Sequence, residues 1–101
     1  MTVRVTRHAE HRMRERLGIN KASVLAAAQR AFDRGSSYQD TKGKLRRFLD
    51  DKIVCYGIQS VYRIYGEFLY VFSGDGFLIT IVPLYCQMTK CVKQKGKKQD
   101  G

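Results

Sequence analysis

Apolar residues in the first third of the chain recur at helical spacing in two separate stretches. The first stretch has an apolar residue at every fourth position, namely Val5, Ala9, Met13 and Leu17. This stripe predicts a helix that Thr6 caps and Gly18 ends. The second stretch lies between Asn20 and Gly35, which predicts another capped helix. Its apolar face consists of Val24, Leu25, Ala28, Ala31 and Phe32.

A polar connection over residues 36–43 leads to a shorter apolar cluster. Leu45, Phe48 and Leu49 have the i, i+3, i+4 spacing of a helix face. The cluster predicts either a short third helix or an irregular amphipathic segment.

From residue 53 onward the pattern changes to short runs of β-branched and aromatic residues, which are typical of strands. The four runs cover residues 53–56, 61–65, 68–72 and 77–82. Turn signals at Gly66–Glu67 and Ser73–Gly76 join consecutive runs, so we expect a mainly antiparallel four-stranded sheet. Two or three N-terminal helices packed on one face of this sheet would complete an α+β fold.

Positive charge is the main compositional feature of the chain. Its 101 residues include 19 Lys and Arg against 9 Asp and Glu, which gives a formal net charge of +10. Such an excess speeds association with polyanions, so nucleic acid, and RNA above all, is the expected partner. An acidic protein, such as an antitoxin or a host effector, fits the same charge. Residues 1–86 are expected to form one compact domain, and residues 87–101 a basic, flexible, disordered tail.

Other features of the composition narrow the class of protein. No apolar run approaches the ~20 residues that cross a bilayer, and the basic N-terminus lacks the apolar segment of a signal peptide. A cytoplasmic protein without a membrane partner is therefore expected. Cys55, Cys86 and Cys91 lack the number and spacing of a disulfide framework or a zinc site. We accordingly expect reduced thiols, no metal and no cofactor.

The distribution of basic residues singles out Arg63. It is the only Lys or Arg in residues 53–89, whereas thirteen lie in residues 1–52 and five follow residue 89. One interpretation is an outward-facing arginine on a half-solvated sheet. The other is a planar, bidentate phosphate-binding group beside Tyr65, whose ring would stack on a base.

The two histidines, His8 and His11, both fall on the first predicted helix. A histidine exchanges protons near neutral pH, as cleavage of RNA through its ribose 2′-hydroxyl requires. Arg12, one turn after His8, and Arg63 would then stabilise the charge on the phosphate. The alternative is that both histidines are ordinary exposed or capping residues of a helix.

Further candidates are less specific. Thr80 lies within the last apolar run, where it is either a β-branched packing residue or a hydrogen-bond donor to a phosphate. In the second case it would point the same way as Leu78 and Val82. Sequence-independent contacts with nucleic acid are expected from His11, Arg46, Arg47, Tyr65, Lys90 and Lys93.

Residues 6–19, which read TRHAEHRMRERLGI, resemble the H-A-x-x-R-M-x-E-R-G-I signature of the small domain-of-unknown-function 4258 family. The later runs YRIY and LITI fall where that family has an arginine strand and a closing threonine strand, so the resemblance covers residues 6–82. It implies a compact RNase-toxin fold, similar to RelE, BrnT and colicin-type nucleases. The site residues that it implies are His8, Arg12, Arg63 and Thr80. The chain departs from the family in having Leu17 before Gly18 and a longer, more basic link over residues 36–52.

Two main functional hypotheses of different classes follow. The first is a metal-independent endoribonuclease of the RNase-toxin type, or a catalytically idle relative that binds RNA. In it His8 is the general acid or base, and Arg12 and Arg63 bind the scissile phosphate. Thr80 orients that phosphate. The second is a non-catalytic inhibitor from a phage or mobile element, comparable to anti-CRISPR proteins, that binds a host nucleic-acid-processing protein or its nucleic acid. A plain structural nucleic-acid binder is a third hypothesis.

Overall fold

Three helices and a four-stranded sheet make up residues 2–84, the part of the chain that the structure, a computed structural model, describes. The elements are β1 (Arg4–Val5), α1 (Arg7–Leu17), α2 (Lys21–Arg34), a 3₁₀ turn (Tyr38–Asp40), α3 (Gly43–Tyr56), β2 (Val61–Tyr65), β3 (Phe68–Phe72) and β4 (Phe77–Pro83). The expected α+β class is confirmed. The predicted tail, Cys86 and Cys91 lie outside the described residues.

The strands lie in the order β1–β4–β3–β2. β2, β3 and β4 pair antiparallel in chain order, whereas β1 runs parallel to β4, with Arg4 opposite Phe77 and Val5 opposite Leu78. The sheet is therefore mainly antiparallel, as expected, but its fourth strand is β1. β1 has only two residues, which are too few to show the alternation of apolar and polar residues by which a strand is recognised in a sequence.

The prediction of a strand over residues 53–56 is wrong, because these residues form the last turn of α3. Ile53 follows the buried Leu45 and Leu49 at four-residue spacing and packs against the same apolar cluster. Val54, one position further, is 85% exposed. The helical periodicity that continues from the preceding residues outweighs the β-branched composition of this run. Gly57, with a φ of 100°, ends the helix.

Helices cover both faces of the sheet rather than the single face expected. On the α1–α2 face, the two N-terminal helices pack against the sheet around Met13 and Phe72. On the α3 face, the third helix packs around Leu49, Ile64 and Val71. Each central strand thus buries side chains in two separate cores, which explains why its sequence is almost continuously apolar.

A β-bulge in β4 decides which face Thr80 occupies. Val71 pairs with Thr80, but the next residue of β3 pairs with Leu78, so Ile79 is an extra residue in the ladder. Val71 belongs to the core on the α3 face and Leu78 to the core on the α1–α2 face. Thr80 therefore shares the α3 face with Val82, as expected, but the expected shared direction with Leu78 is wrong.

Thr6 joins α1 to the sheet. Its Oγ1 accepts a hydrogen bond from the Ala9 N–H at 3.1 Å, which caps the helix as predicted, and it donates to the Leu78 carbonyl at 3.0 Å. We expect Thr6→Ala to lower the free energy of unfolding by about 1–2 kcal/mol in urea denaturation, because both bonds are lost. Thr6→Ser keeps the hydroxyl and should recover most of this loss. A serine variant as unstable as the alanine variant would assign the effect to the methyl group instead.

Candidate nucleic-acid interface

Arg63 lies on β2, at the edge of the sheet, and its guanidinium is held by backbone carbonyls. Its Nε donates to the Phe32 carbonyl at 3.2 Å and its Nη1 to the Tyr62 carbonyl at 3.1 Å. The guanidinium also lies 5.3 Å from the centre of the Phe32 ring. Phe32 is in the last turn of α2, where carbonyls have no partner within the helix. Arg63 therefore caps the C-terminus of α2.

The carbonyl that Arg63 binds is orphaned by the way the chain leaves α2. In a continuing helix the N–H of Ser36 would bond to Phe32, but here it donates to the Ile64 carbonyl at 2.8 Å. Gly35 allows this close approach to β2, because a Cβ there would lie 3.0 Å from the Cβ of Arg63 and 2.5 Å from the Ala31 carbonyl oxygen. A structural requirement thus accounts for the single basic residue of residues 53–84.

The solvent side of α1 carries histidine and arginine side chains at i, i+4 spacing. His8 and Arg12 form one such pair and Arg7 and His11 the other; Arg12 is half-buried and the other three are exposed. Both glutamates of this helix have basic partners: Glu15 lies 3.6 Å from His11 and Glu10 lies 3.7 Å from Arg14. Within residues 2–84, neither Arg7 nor Arg12 has a carboxylate within 4.0 Å. We call Arg7, His8, His11 and Arg12 the α1 basic surface.

The structure does not bring His8 and Arg63 together. α1 packs along β4, to which Arg16 donates a hydrogen bond at the Ile81 carbonyl (3.1 Å). β4 and β2 are separated by β3, which places the two strands about 10 Å apart in the plane of the sheet. The groove that Arg63 lines contains no residue of α1 among those described.

Thr80 is also remote from Arg63. It is 7% exposed, lies on the α3 face, and has its hydroxyl 3.4 Å from the Ile81 carbonyl. Arg63 pairs with Tyr70, whose ring belongs to the core on the α1–α2 face. Of the four residues proposed for catalysis, the described structure places only His8 and Arg12 side by side.

The residues proposed for nucleic-acid contacts beyond α1 differ in their surroundings. Arg46 binds both Thr41 Oγ1 at 3.0 Å and the Thr41 carbonyl at 2.7 Å, and stacks on the Tyr38 ring at 4.3 Å. It therefore fixes the 3₁₀ turn to α3. Arg47 is exposed on α3, and Tyr65 is half-buried against the core on the α1–α2 face. Lys90 and Lys93 lie outside the described residues.

A groove of about 620 Å³ runs along the outer edge of β2, and sequence reasoning did not identify it. Its lining residues are Ser37, Tyr38, Gln39, Ile53, Ile58, Ser60, Val61, Tyr62 and Arg63. The pKa of Tyr38 is raised, chiefly because its hydroxyl donates a hydrogen bond to Asp50 at 2.7 Å. Burial raises the pKa of Tyr62. Both rings are therefore uncharged at neutral pH. We call this feature the β2-edge groove.

Residues 2–84 contain no cluster of three or more His, Cys, Asp or Glu side chains that would hold a metal ion. Cys55 is exposed and unbonded. None of the described helices has the length and apolar character needed to cross a bilayer.

Comparison with known proteins does not assign the chain to a family. No family model matches it, and neither the curated proteins nor the solved structures contain a significant match. The resemblance of residues 6–19 to the domain-of-unknown-function 4258 signature therefore stays a prediction.

Proposed function

We propose that the protein binds RNA through the α1 basic surface by contacts with phosphate groups. The observation that supports the proposal is the pairing of charges on α1: both glutamates have basic partners, while neither Arg7 nor Arg12 has a carboxylate partner within residues 2–84. These two guanidinium groups lie beside His11 and His8 on the solvent side of α1, where they can contact phosphates. The overall charge of +10 adds a long-range attraction for any polyanion.

Binding without cleavage is the form of this proposal that the geometry favours. Cleavage through a ribose 2′-hydroxyl requires proton transfer and charge stabilisation at the same phosphate. Arg63, one of the expected charge-stabilising groups, is used to cap α2. Metal-independent cleavage by His8 and Arg12 alone is the second candidate, because these residues are one helical turn apart.

The test removes charge from the α1 basic surface. Arg7→Gln combined with Arg12→Gln is expected to weaken binding of a fluorescent oligouridylate about tenfold, and to lower the slope of log affinity against log salt by ~1.4. Fluorescence anisotropy measured at about 50 and 200 mM salt provides both quantities. The matched control is Arg30→Gln combined with Arg34→Gln, which removes the same charge from the exposed side of α2.

The control distinguishes binding at the α1 basic surface from a general attraction by basic side chains anywhere on the protein. A loss of affinity as large in the α2 variant as in the α1 variant would contradict the assignment to α1. Cleavage is assayed in parallel by incubating the protein with RNA and EDTA. If the protein cleaves RNA and the His8→Ala variant does not, metal-independent cleavage by His8 and Arg12 becomes the function in place of binding without cleavage.

A further inference from the structure

We propose that the β2-edge groove binds an extended, acidic segment of a partner protein by strand addition. This function is separate from RNA binding, because no residue of the α1 basic surface lines the groove. Four features support it: an open backbone donor at the strand edge, a largely apolar lining, one exposed apolar side chain, and a single positive charge among the lining residues.

One backbone donor of β2, the N–H of Tyr62, is open for pairing within the described residues, whereas the Tyr62 carbonyl already accepts a hydrogen bond from Arg63 Nη1 at 3.1 Å. Ile64 exchanges two hydrogen bonds of 2.8 Å with Ser36, which lies on the side of β2 away from β3. Peptide groups of alternate strand residues point the same way, so the N–H and carbonyl of Tyr62 also face this outer side. After Ser36 the chain turns into the 3₁₀ turn, and no described group accepts a hydrogen bond from the Tyr62 N–H. An added strand would continue the ladder that Ser36 begins.

Apolar side chains make up much of the groove lining. Ile53, Ile58 and Val61 are among its lining residues, and Ile58, just after the end of α3, is 87% exposed. A branched apolar side chain left in water beside a strand edge is a contact point for a side chain of an incoming strand.

The charge of the groove selects an acidic partner. Among the described residues that line the groove, Arg63 alone is charged at neutral pH. Its two hydrogen bonds to carbonyls use two of its five N–H groups, so three remain to bind a carboxylate. Neither Asp50, which accepts from the Tyr38 hydroxyl, nor Asp40, which accepts from the Ser37 N–H, lines the groove. The Arg46 guanidinium, 4.3 Å from the centre of the Tyr38 ring, adds a second positive charge beside the groove.

RNA fits this groove less well than a peptide does. One guanidinium in the groove and one beside it do not neutralise a run of phosphates, and the largely apolar lining offers the sugar-phosphate backbone few hydrogen bonds. The α1 basic surface meets the requirements of RNA better, since it has several basic side chains. We therefore expect RNA at the α1 basic surface and a peptide at the β2-edge groove.

The experiment uses the full-length protein and a synthetic ten-residue peptide of alternating valine and glutamate with blocked termini. We expect the peptide to bind in fluorescence anisotropy and to slow hydrogen exchange of the Tyr62 amide at least tenfold, as strand pairing requires. Two altered peptides test the chemistry: one has lysine for glutamate, and one is N-methylated at alternate positions to block pairing. Both are expected to bind at least tenfold more weakly.

The variant Ile58→Asp tests the exposed apolar side chain of the groove without disturbing the core. It is expected to weaken binding of the valine–glutamate peptide at least tenfold, because the isoleucine contact is lost and a like charge is added. Leu25→Asp places the same substitution at another exposed apolar residue, on α2, and is expected to leave affinity unchanged.

Several results would overturn the proposal. These are no binding of the acidic peptide, equal binding of the lysine peptide, or full affinity in Ile58→Asp. Protection of the Tyr62 amide by oligouridylate but not by the peptide would assign the groove to RNA. Concentration-dependent dimerisation that Ile58→Asp abolishes would assign it to a second copy of the chain. Loss of RNA binding in the α1 variant tests the other surface and leaves this outcome unaffected.

Discussion

Replacing Leu49 by alanine is expected to lower the free energy of unfolding by about 2–5 kcal/mol. Leu49 is fully buried between α3 and the sheet, where it packs in the same cluster as Tyr62, Ile64 and Val71. Truncation removes its apolar contacts and leaves a cavity that the rigid sheet does not fill. Chemical denaturation followed by far-UV circular dichroism measures the loss.

Val54→Ala is the matched control for this prediction. Val54 lies on the same helix, five residues later, but is 85% exposed. Its truncation should change stability by less than about 0.5 kcal/mol. If Val54→Ala were as destabilising as Leu49→Ala, residues 53–56 would be buried on a strand, and the helical structure of this segment would be wrong.

Arg63→Met is expected to lower the free energy of unfolding by about 1.5–3 kcal/mol. Methionine replaces the aliphatic part of the side chain but leaves the Phe32 carbonyl at the end of α2 without its donor. Affinity for oligouridylate, measured on the folded protein, should change less than twofold. Denaturation and anisotropy on the same preparation measure the two quantities together.

The opposite pattern would identify Arg63 as an RNA-binding residue. A phosphate contact predicts a loss of RNA affinity of about tenfold with little change in stability. Arg63→Lys refines the distinction, since lysine keeps the charge without the planar fork that reaches two carbonyls. Retained RNA affinity with reduced stability in Arg63→Lys is the result expected for a helix cap.

The sequence was sufficient to predict α1 and α2, because each combines an apolar stripe with a side-chain cap and a glycine end. It was not sufficient for the end of α3, where β-branched residues occupy helical positions. There the β-branched composition and the four-residue spacing of Leu45, Leu49 and Ile53 predict different structures, and the packing of Ile53 against the same cluster as Leu45 and Leu49 decides between them. The strand β1 is too short to leave a signal at all.

The candidate site was likewise predictable from the sequence only in part. Arg63 stands out in the sequence because it is a single charge in an apolar region, but its role depends on Phe32, which lies 31 residues earlier. Whether His8 lies near Arg63 depends on the order of strands in the sheet, and that order is a tertiary property. Ile53 lines the β2-edge groove from the last turn of α3, so a strand prediction for residues 53–56 conceals the groove.

The pairing of β1 with β4 has a consequence for how the protein is made. Thr6 donates a hydrogen bond to the carbonyl of Leu78, which lies 72 residues later in the sequence. The N-terminal part of the domain therefore gains this contact only when β4 is present. During synthesis the apolar side of α1 has no sheet to cover it until β4 emerges from the ribosome. Contacts of such long sequence separation form slowly, and α1 is therefore the helix most dependent on protection from aggregation in the nascent chain.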